Sequence, residues 1–354
     1  MDGMGFNSSE SSDNTSAEDA LTERREDAEI SITALFLVFI IGLAVTGNIM
    51  VIRAIQLCPM LRDDRSNLFI INLAITDLSS AIIVMSSSFV SLVADKWPFP
   101  QIVCDFVCAA NYCFIIVSML TLSFISIDRY QAVINPLLYI QRMTRPKIFA
   151  MISYSWLQGV AFACIPVAFR WVSYDYWEVI CAIEWHTDPQ ALYYVILAFL
   201  MCFLIPGIIL AVCYFCVLRE ARHCRIGCVK MNTSNSRLEN GGQRTKNVNS
   251  NSKTIRSLIF VVLAYFICLT PFCVTKLIKV ISAQPNFLPG YINLLSSWFG
   301  YLSSAINPLI YGIFRRDFRR VYLRIIHKLP FFSSSPRGDD TANSTFGTEA
   351  QRTS

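Results

Sequence analysis

The sequence predicts an all-α fold: a bundle of seven transmembrane helices with a short amphipathic eighth helix on the cytoplasmic side. The 354-residue chain is 54% hydrophobic and only 16% charged, whereas soluble proteins carry roughly 25% charged residues. Its apolar residues form seven runs, each near or above the ~20 residues that a helix needs to cross a hydrocarbon core. Its arginines and lysines gather in alternate loops, which is typical of the cytoplasmic side of a membrane protein.

The seven apolar runs define the predicted membrane spans in chain order. Buried helices of a soluble enzyme would not all reach this length, so we favour the membrane interpretation over a soluble core. Together the spans make up a transmembrane domain of residues 30–314. Their approximate bounds are Ile30–Ile52, Leu68–Val93, Val103–Ile127, Ile148–Phe169, Ala191–Val217, Ile255–Ile281 and Tyr291–Phe314.

The loops predict the orientation of the bundle. Residues 1–29 are acidic and fall outside the cell, where Asn7 and Asn14 begin glycosylation acceptor sequences. The basic loops fall inside, including a long third cytoplasmic loop at about residues 219–254. Residues 315–328 alternate arginines with apolar residues at helical spacing, which predicts an amphipathic helix on the membrane lipid. Residues 329–354 form a cytoplasmic tail, and we expect a multi-pass protein of the plasma membrane.

Two of the thirteen cysteines differ from the rest. Most of the others lie within the apolar runs, where cysteine acts as a small hydrophobic residue. Cys104 at the outer end of the third span and Cys181 in the outer loop both face an oxidising compartment. These two cysteines could therefore form a disulfide.

Five polar residues lie inside the spans, where each is costly in lipid and needs a physical reason. One interpretation is that they converge on a small buried site for water or a sodium-like cation. The other is that each only joins two helices, which contributes about 0.6 kcal/mol on average. Asn48 and Ser118 fit the second interpretation, whereas an ionised Asp77 requires a counter-ion. The five residues are Asn48, Asp77, Ser118, Ser303 and Asn307.

A series of short motifs gives the chain a family resemblance. From Ile30 to Lys328 it resembles the rhodopsin-like (class A) G-protein-coupled receptors, in the amine- and opsin-like branch. Any one motif is weak, but all of them occur in order at the family's spacing. They are Gly47–Asn48, "NLAITD" ending at Asp77, Cys104 with "SIDRY", Trp156 with Pro166, Pro206 with Tyr214, "CLTP" ending at Pro271, and "NPLIY" ending at Tyr311.

The resemblance implies a switch at the cytoplasmic ends of the spans. In the family, the arginine of the Asp-Arg-Tyr triplet is restrained by its neighbouring aspartate until G protein meets it. Cys104 and Arg129 are 25 residues apart, or about 37 Å of helix, so the triplet lies at the opposite membrane surface from Cys104. An arginine that merely snorkels to the interface is the simpler alternative. The implied switch residues are Asp128, Arg129, Tyr130, Tyr214, Asn307, Pro308 and Tyr311.

The ligand anchors of the best-known branches are absent at the matching positions. Tyr301 stands where opsins carry the retinal lysine, so we expect no retinal. Asn111 replaces the aspartate that pairs with amines, and Ala198 and Cys202 replace the hydroxyls that bind catechols. An ordinary monoamine ligand is therefore disfavoured, although Trp298 resembles the matching position in the seventh span of the amine receptors. The candidate ligand pocket is Asn111, Phe114, Ile115, Phe199, Phe272, Lys276, Trp298 and Tyr301.

Lys276 and Lys279 share one face of the sixth span near its outer end. We favour snorkelling to the membrane interface for both side chains. The alternatives are an anionic ligand or an acid of the outer loop, such as Glu184 or Asp188.

Two further departures concern the switch. Leu269 stands where the family usually has tryptophan, and Asn251 stands where many members carry an acid that holds the arginine. Loss of that contact predicts raised ligand-free signalling, since 1.4 kcal/mol changes the active-to-inactive ratio about tenfold. Compensating packing at the inner face is the alternative.

The sequence therefore predicts an orphan-like G-protein-coupled receptor rather than an enzyme. The expected partners are a heterotrimeric G protein of the Gs type, arrestin and receptor kinases, and an unknown small-molecule or peptide ligand. We expect no cofactor, no metal site and no nucleic acid, because the chain has no catalytic constellation and its three histidines are scattered. A non-coupling receptor-like scaffold is the alternative. A transporter is less favoured, because the spans contain one buried acid and no internal repeat.

Overall fold

The computed structural model describes residues 25–184, 189–234, 241–282 and 288–327. It confirms the predicted helical bundle and the short helix that follows it. The first span is Asp27–Leu57, the third Gln101–Ile134, the fourth Arg145–Ala168, the sixth Gly241–Ser282 and the seventh Gly290–Phe314. The second span consists of the helix Asn67–Ser80, the π-helical turn Ala81–Met85 and the helix Ser86–Ala94. The fifth span consists of the helix Pro189–Ala198, the π-helical turn Phe199–Leu204 and the helix Ile205–Ser234.

Six of these helices are long and apolar enough to cross a membrane. The seventh span has the length, but it buries an unusual number of polar side chains, among them Asn293, Ser296, Ser303 and Asn307. Helices suit this environment because each satisfies its own backbone hydrogen bonds within the segment. The polarity of the seventh span therefore lies on its protein-facing side.

Three short helices lie at the end of the bundle that carries Arg129, which we call the inner end. Pro59–Asp63 and Pro136–Arg142 each begin with a proline, a residue that fits the first turn because its missing N–H needs no partner there. Arg316–His327 follows the seventh span. Its Phe318 is fully buried and packs against Tyr311, with ring centroids 5.5 Å apart.

A two-stranded hairpin was not predicted from the sequence. Strand β1 (Val172–Asp175) pairs antiparallel with β2 (Ile180–Ile183) in the loop between the fourth and fifth spans. The predicted disulfide is confirmed, and it ties β2 at Cys181 to Cys104 of the third span. The hairpin therefore lies over the end of the bundle opposite Arg129, which we call the outer end.

The first and seventh spans approach closely at Gly47. A Cβ atom built at this position would lie 2.8 Å from the Cβ atom of Pro308, so a side chain there would displace one helix. The third span packs against the second, fourth and fifth spans and buries much of its length. The core of the bundle is therefore arranged around the third span.

The helices reach further than the sequence predicted. The fifth span continues to Ser234 and the sixth begins at Gly241, so the described part of the predicted third loop, about residues 219–254, is helical. Extending an existing helix needs no new nucleation, which allows weak helix formers to join it. Asn7, Asn14 and the tail 329–354 lie outside the described residues, as does the side chain of Asn251.

Candidate functional site

The inner end of the third span carries a tight ion pair. Arg129 Nη2 lies 2.6 Å from Asp128 Oδ2, and the Asp128 side chain is fully buried. Tyr139, on the short helix Pro136–Arg142, donates a hydrogen bond of 2.8 Å to the other carboxylate oxygen. Asp128 is thus held from two sides by groups of different helices.

Two other predicted switch residues face the same inner region with free hydroxyls. The hydroxyl groups of Tyr214 and Tyr311 are buried and have no hydrogen-bond partner among the described residues. Tyr130 is half-buried next to Arg129. Pro308 contacts Gly47, where it sets the spacing of the first and seventh spans.

The buried polar residues form two sets of contacts at mid-bundle. Asn307 Nδ2 donates to Asp77 Oδ2 at 2.9 Å, joining the seventh span to the second. Asn48 Nδ2 donates to the carbonyl oxygens of Ala44 and Ser304, joining the first span to the seventh. Asn48 therefore acts as a helix-to-helix contact, whereas Asp77 and Asn307 form a polar pair.

A small cavity of about 30 Å³ begins beside Asp77. This volume is large enough to hold a water molecule. Predicted members of the polar site and of the ligand pocket both line it, so the two sets meet here. They are Asp77, Ser118 and Ser303 from the first set, and Asn111, Phe114, Ile115, Phe272 and Tyr301 from the second.

A second, larger cavity lies between the third, fifth and sixth spans. Its volume is about 110 Å³, and its walls are mainly aliphatic and aromatic. Four predicted pocket residues line it, namely Ile115, Phe199, Phe272 and Lys276. Trp298 lines neither cavity: its ring packs on Phe36 of the first span, with centroids 5.0 Å apart.

The two outer lysines bind acids of the hairpin rather than snorkelling to the interface. Lys276 Nζ lies 2.5 Å from Glu178 Oε2, and Lys279 Nζ lies 2.5 Å from Glu178 Oε1 and 2.8 Å from Asp175 Oδ2. The Glu178 side chain is 1% exposed. We call these four residues the outer ion cluster.

The charge of the lysines acts on the titration of Asp175. Burial tends to raise the pKa of its carboxyl group, but Lys279 and Lys276 outweigh that effect and lower it below the usual value. The Glu178 backbone N–H also donates to Asp175 Oδ1 at 3.0 Å. Asp175 is therefore held in its charged form.

Arg25 fixes the turn of the hairpin from the other side. Its guanidinium lies 4.3 Å from the centre of the Tyr176 ring and 3.6 Å from Asp95 at the end of the second span. Tyr176 in turn donates a hydrogen bond of 2.7 Å to Asp95. The hairpin is thus attached to the second, third and sixth spans and to the segment before the first.

Several residues of these sites were missed by the sequence analysis. Glu178 and Asp175 were passed over in favour of Glu184 and Asp188; the Glu184 side chain is exposed, and Asp188 lies outside the described residues. The proximity of Glu178 and Asp175 to Cys181 was the available signal, because a disulfide at that point draws the loop over the bundle. Ser88, which bonds Tyr301 at 2.8 Å, carried no sequence signal beyond its polarity.

The chain is similar to known proteins over most of its length. The family described as "7 transmembrane receptor (rhodopsin family)" matches residues 47–311. The octopamine receptor beta-1R of Drosophila melanogaster is 28% identical over 89% of this chain and 66% of its own length, just under two thirds. The human 5-hydroxytryptamine receptor 4 is 26% identical over 82% of this chain and 78% of its own. The crystal structure of squid rhodopsin has the same fold, with a TM-score of 0.77, 23% identity and 90% of each chain covered.

Proposed function

Because the chain belongs to the rhodopsin family of seven-transmembrane receptors, we propose that it signals from the plasma membrane to a heterotrimeric G protein of the Gs type. The family makes the chain a multi-pass receptor that signals through G proteins, and it is not an enzyme. The choice of Gs, the plasma membrane, and roles for arrestin and receptor kinases are parts of the proposal.

The ion pair between Asp128 and Arg129 is the observation that carries the proposal. A buried carboxylate that holds an arginine at the inner surface makes a two-state element, because the arginine becomes available only when the pair opens. Tyr139 adds a second contact to the same carboxylate. A G protein that binds the released arginine shifts the population toward the open state by its preference for that state.

The tyrosines of the fifth and seventh spans supply partners for the open state. The buried hydroxyls of Tyr214 and Tyr311 have no hydrogen-bond partner among the described residues, and such groups are costly until they find one. We assign them the role of meeting Arg129 when the sixth span moves outward. Tyr130, Asn307 and Pro308 complete the proposed switch.

Raised ligand-free activity is part of the same proposal. Leu269 is 1% exposed and lines both cavities, at the position where the family usually has tryptophan. Its smaller side chain leaves less packing to hold the sixth span in the resting position. The amide of Asn251 in place of an acid removes a charged contact to Arg129.

The ligand is proposed to differ from those in the names of the relatives. Those names refer to octopamine and 5-hydroxytryptamine, which are amines. Asn111 offers a neutral amide at the position where the family's amine receptors carry a carboxylate. An ammonium group bound beside Asn111 would therefore lack the adjacent counter-ion that the family's amine receptors supply at that position.

The small cavity beside Asp77 is proposed to hold a water molecule or a sodium-like cation. Asp77 supplies a carboxylate, and Ser118 and Ser303 supply oxygens near it. Oxygen ligands of this kind suit hard cations. We expect sodium chloride to raise the unfolding temperature of the purified receptor above its value in potassium chloride, and Asp77→Asn to abolish the difference. Equal unfolding temperatures in both salts would mean that Asp77 and Asn307 join two helices but bind no cation.

Basal cAMP in ligand-free cells, plotted against receptor surface density, tests the proposed function. We expect cAMP to rise with density for the wild type and to stay at the vector level for Arg129→Ala. Lys96→Ala, which changes an exposed cation at the outer end, should behave as the wild type. A wild-type signal equal to vector at matched density would reject Gs coupling without ligand and would favour the scaffold alternative.

A further inference from the structure

The apolar cavity between the third, fifth and sixth spans carries an inference about the ligand that deepens the proposed function. We infer that this cavity takes an uncharged, predominantly apolar small molecule that reaches it from the membrane. The charge of the outer ion cluster and the walls of the cavity favour an uncharged, apolar ligand, and the position of the hairpin favours entry from the membrane.

The charge balance excludes a ligand with a full charge. Lys276 carries the only full charge among the described residues that line the cavity. That charge is already neutralised, because the two lysines of the outer ion cluster face the two carboxylates of Glu178 and Asp175. A carboxylate or ammonium that entered would be a buried charge without a counter-ion, which is strongly unfavourable.

Two of the polar groups in the cavity walls are engaged elsewhere, and the buried Tyr112 hydroxyl is the one without a hydrogen-bond partner among the described residues. The Tyr194 hydroxyl donates to the Phe162 carbonyl at 2.9 Å, and Cys202 accepts a contact of 3.6 Å from Gln158. Ile116, Met119 and Phe199 make up much of the remaining wall. A cavity with such walls gives water few partners, whereas an apolar cavity of comparable size is known to bind benzene-sized molecules.

The hairpin covers the route from the outer aqueous side. Ile183 of β2 lines this cavity, and Ile180 lines the small one, so the strand roofs both. The hairpin itself is fixed by the disulfide, by the outer ion cluster and by Arg25. The fifth and sixth spans carry exposed apolar side chains, such as Leu200 and Ile267, so we assign entry from the bilayer, which avoids this roof.

A set of three probes with one shared apolar body tests the inference. Cyclohexylmethanol is uncharged, cyclohexylmethylamine is an ammonium and cyclohexanecarboxylate is an anion at neutral pH. Their affinities for the purified receptor in lipid nanodiscs are measured from the concentration dependence of the unfolding temperature. We expect the alcohol to bind at least about tenfold more tightly than either charged probe. No stabilisation by the alcohol, or equal affinity for a charged probe, would overturn the inference.

A matched pair of variants assigns the binding to this cavity. Ala198 lines the cavity and Ala211 lies exposed on the same span. Ala198→Leu fills the space and should weaken binding of the alcohol about tenfold, whereas Ala211→Leu should leave it unchanged. If both variants bind as the wild type does, the alcohol binds elsewhere and the inference is wrong.

Changing the charge of the cluster tests the electrostatic step separately. Glu178→Gln leaves the cluster with one uncompensated positive charge, so cyclohexanecarboxylate should gain at least about tenfold in affinity while cyclohexylmethanol is unaffected. An unchanged affinity for the anion would contradict the charge argument, and Ala198→Leu remains informative if Glu178→Gln does not fold. The assays contain no G protein, so their result is independent of whether the receptor couples to Gs.

Discussion

Glu178 is the residue on which the outer ion cluster depends, because both lysines share its carboxylate. If Glu178 is removed, Lys276 loses its carboxylate partner and Lys279 keeps only Asp175, at 2.8 Å. Buried ion pairs add little net stability over apolar packing, but removal of one member leaves an uncompensated charge. Removing one member of the cluster therefore costs more stability than the intact cluster adds.

We predict that Glu178→Ala destabilises the receptor by about 3–5 kcal/mol. Glu184→Ala, which changes an exposed acid of the same loop, should have almost no effect. Thermal unfolding of the purified variants in detergent measures the difference. Equal loss in the two variants would contradict the ion pairs in the structure.

Asp175 gives the cluster a pH dependence of known sign. Lys279 and Lys276 lower the pKa of its carboxyl group against the opposing effect of burial, and Glu178 is its neighbour in the cluster. A lowered folded-state pKa stabilises the protein above the ordinary value of 3.8, and the stabilisation is lost as the pH falls through the folded-state value.

We predict that acidification below about pH 4 lowers the unfolding temperature less in Asp175→Asn than in the wild type. The variant has already lost the charge whose protonation costs stability. Unfolding temperatures from pH 6 down to about pH 3 measure the two slopes. Identical slopes would mean that Asp175 does not contribute through its charge.

The sequence anticipated some of these residue-scale features. The sequence predicted that the disulfide partners lie on the side of the membrane where thiols oxidise, and adjacent residues such as Asp128 and Arg129 are near each other in any fold. The partner of Lys276 was harder to predict, because Glu178 is 98 residues away along the chain and only its proximity to Cys181 pointed to it. Only the hairpin turn brings that acid to the lysine.

At the scale of elements, the approach of the first and seventh spans depends on Gly47. A side chain there meets the ring of Pro308, which cannot rotate away. Gly42 lies one and a half turns earlier on the same helix and has open space around the position of a Cβ atom. The two glycines thus differ in packing while sharing the same helical cost of about 0.5–1 kcal/mol relative to alanine.

We predict opposite effects for the two substitutions. Gly47→Ala should lower the unfolding temperature because the spans must separate or shift, and overpacking of this kind costs about 1–3 kcal/mol. Gly42→Ala should leave the temperature unchanged or raise it. The comparison is made in the same detergent at the same receptor concentration. A stabilised Gly47→Ala would contradict the close contact with Pro308.

The elements themselves differ in how well the sequence predicted them. The spans follow from long apolar runs, because lipid permits few other structures. The hairpin could not be found in this way, since strands of four residues leave no clear periodicity. Nor did local composition predict the helical ends at Ser234 and Gly241, because these helices continue from apolar spans.

At the scale of the whole molecule, we propose that the sixth span couples the outer end of the bundle to the inner end. The outer ion cluster attaches that span to the hairpin at Lys276, and the Asp128–Arg129 pair lies at the opposite end of the bundle. Apolar occupancy of the cavity beside Lys276 is proposed to change the packing of the sixth span and so the availability of Arg129. The sequence predicted the switch at Asp128 and Arg129 from a family motif, but it favoured snorkelling for the outer lysines and could not divide the pocket residues between two cavities.

Guanine-nucleotide exchange on purified Gs is the measurement that tests this account most directly. Ligand-free receptor in nanodiscs should accelerate exchange, Arg129→Ala should reduce the acceleration at least about tenfold, and Asp128→Asn should increase it because the arginine is released. Unfolding temperatures of the three proteins serve as the control for folding. Exchange at the receptor-free rate with wild type, or equal acceleration by wild type and Arg129→Ala, would contradict the account.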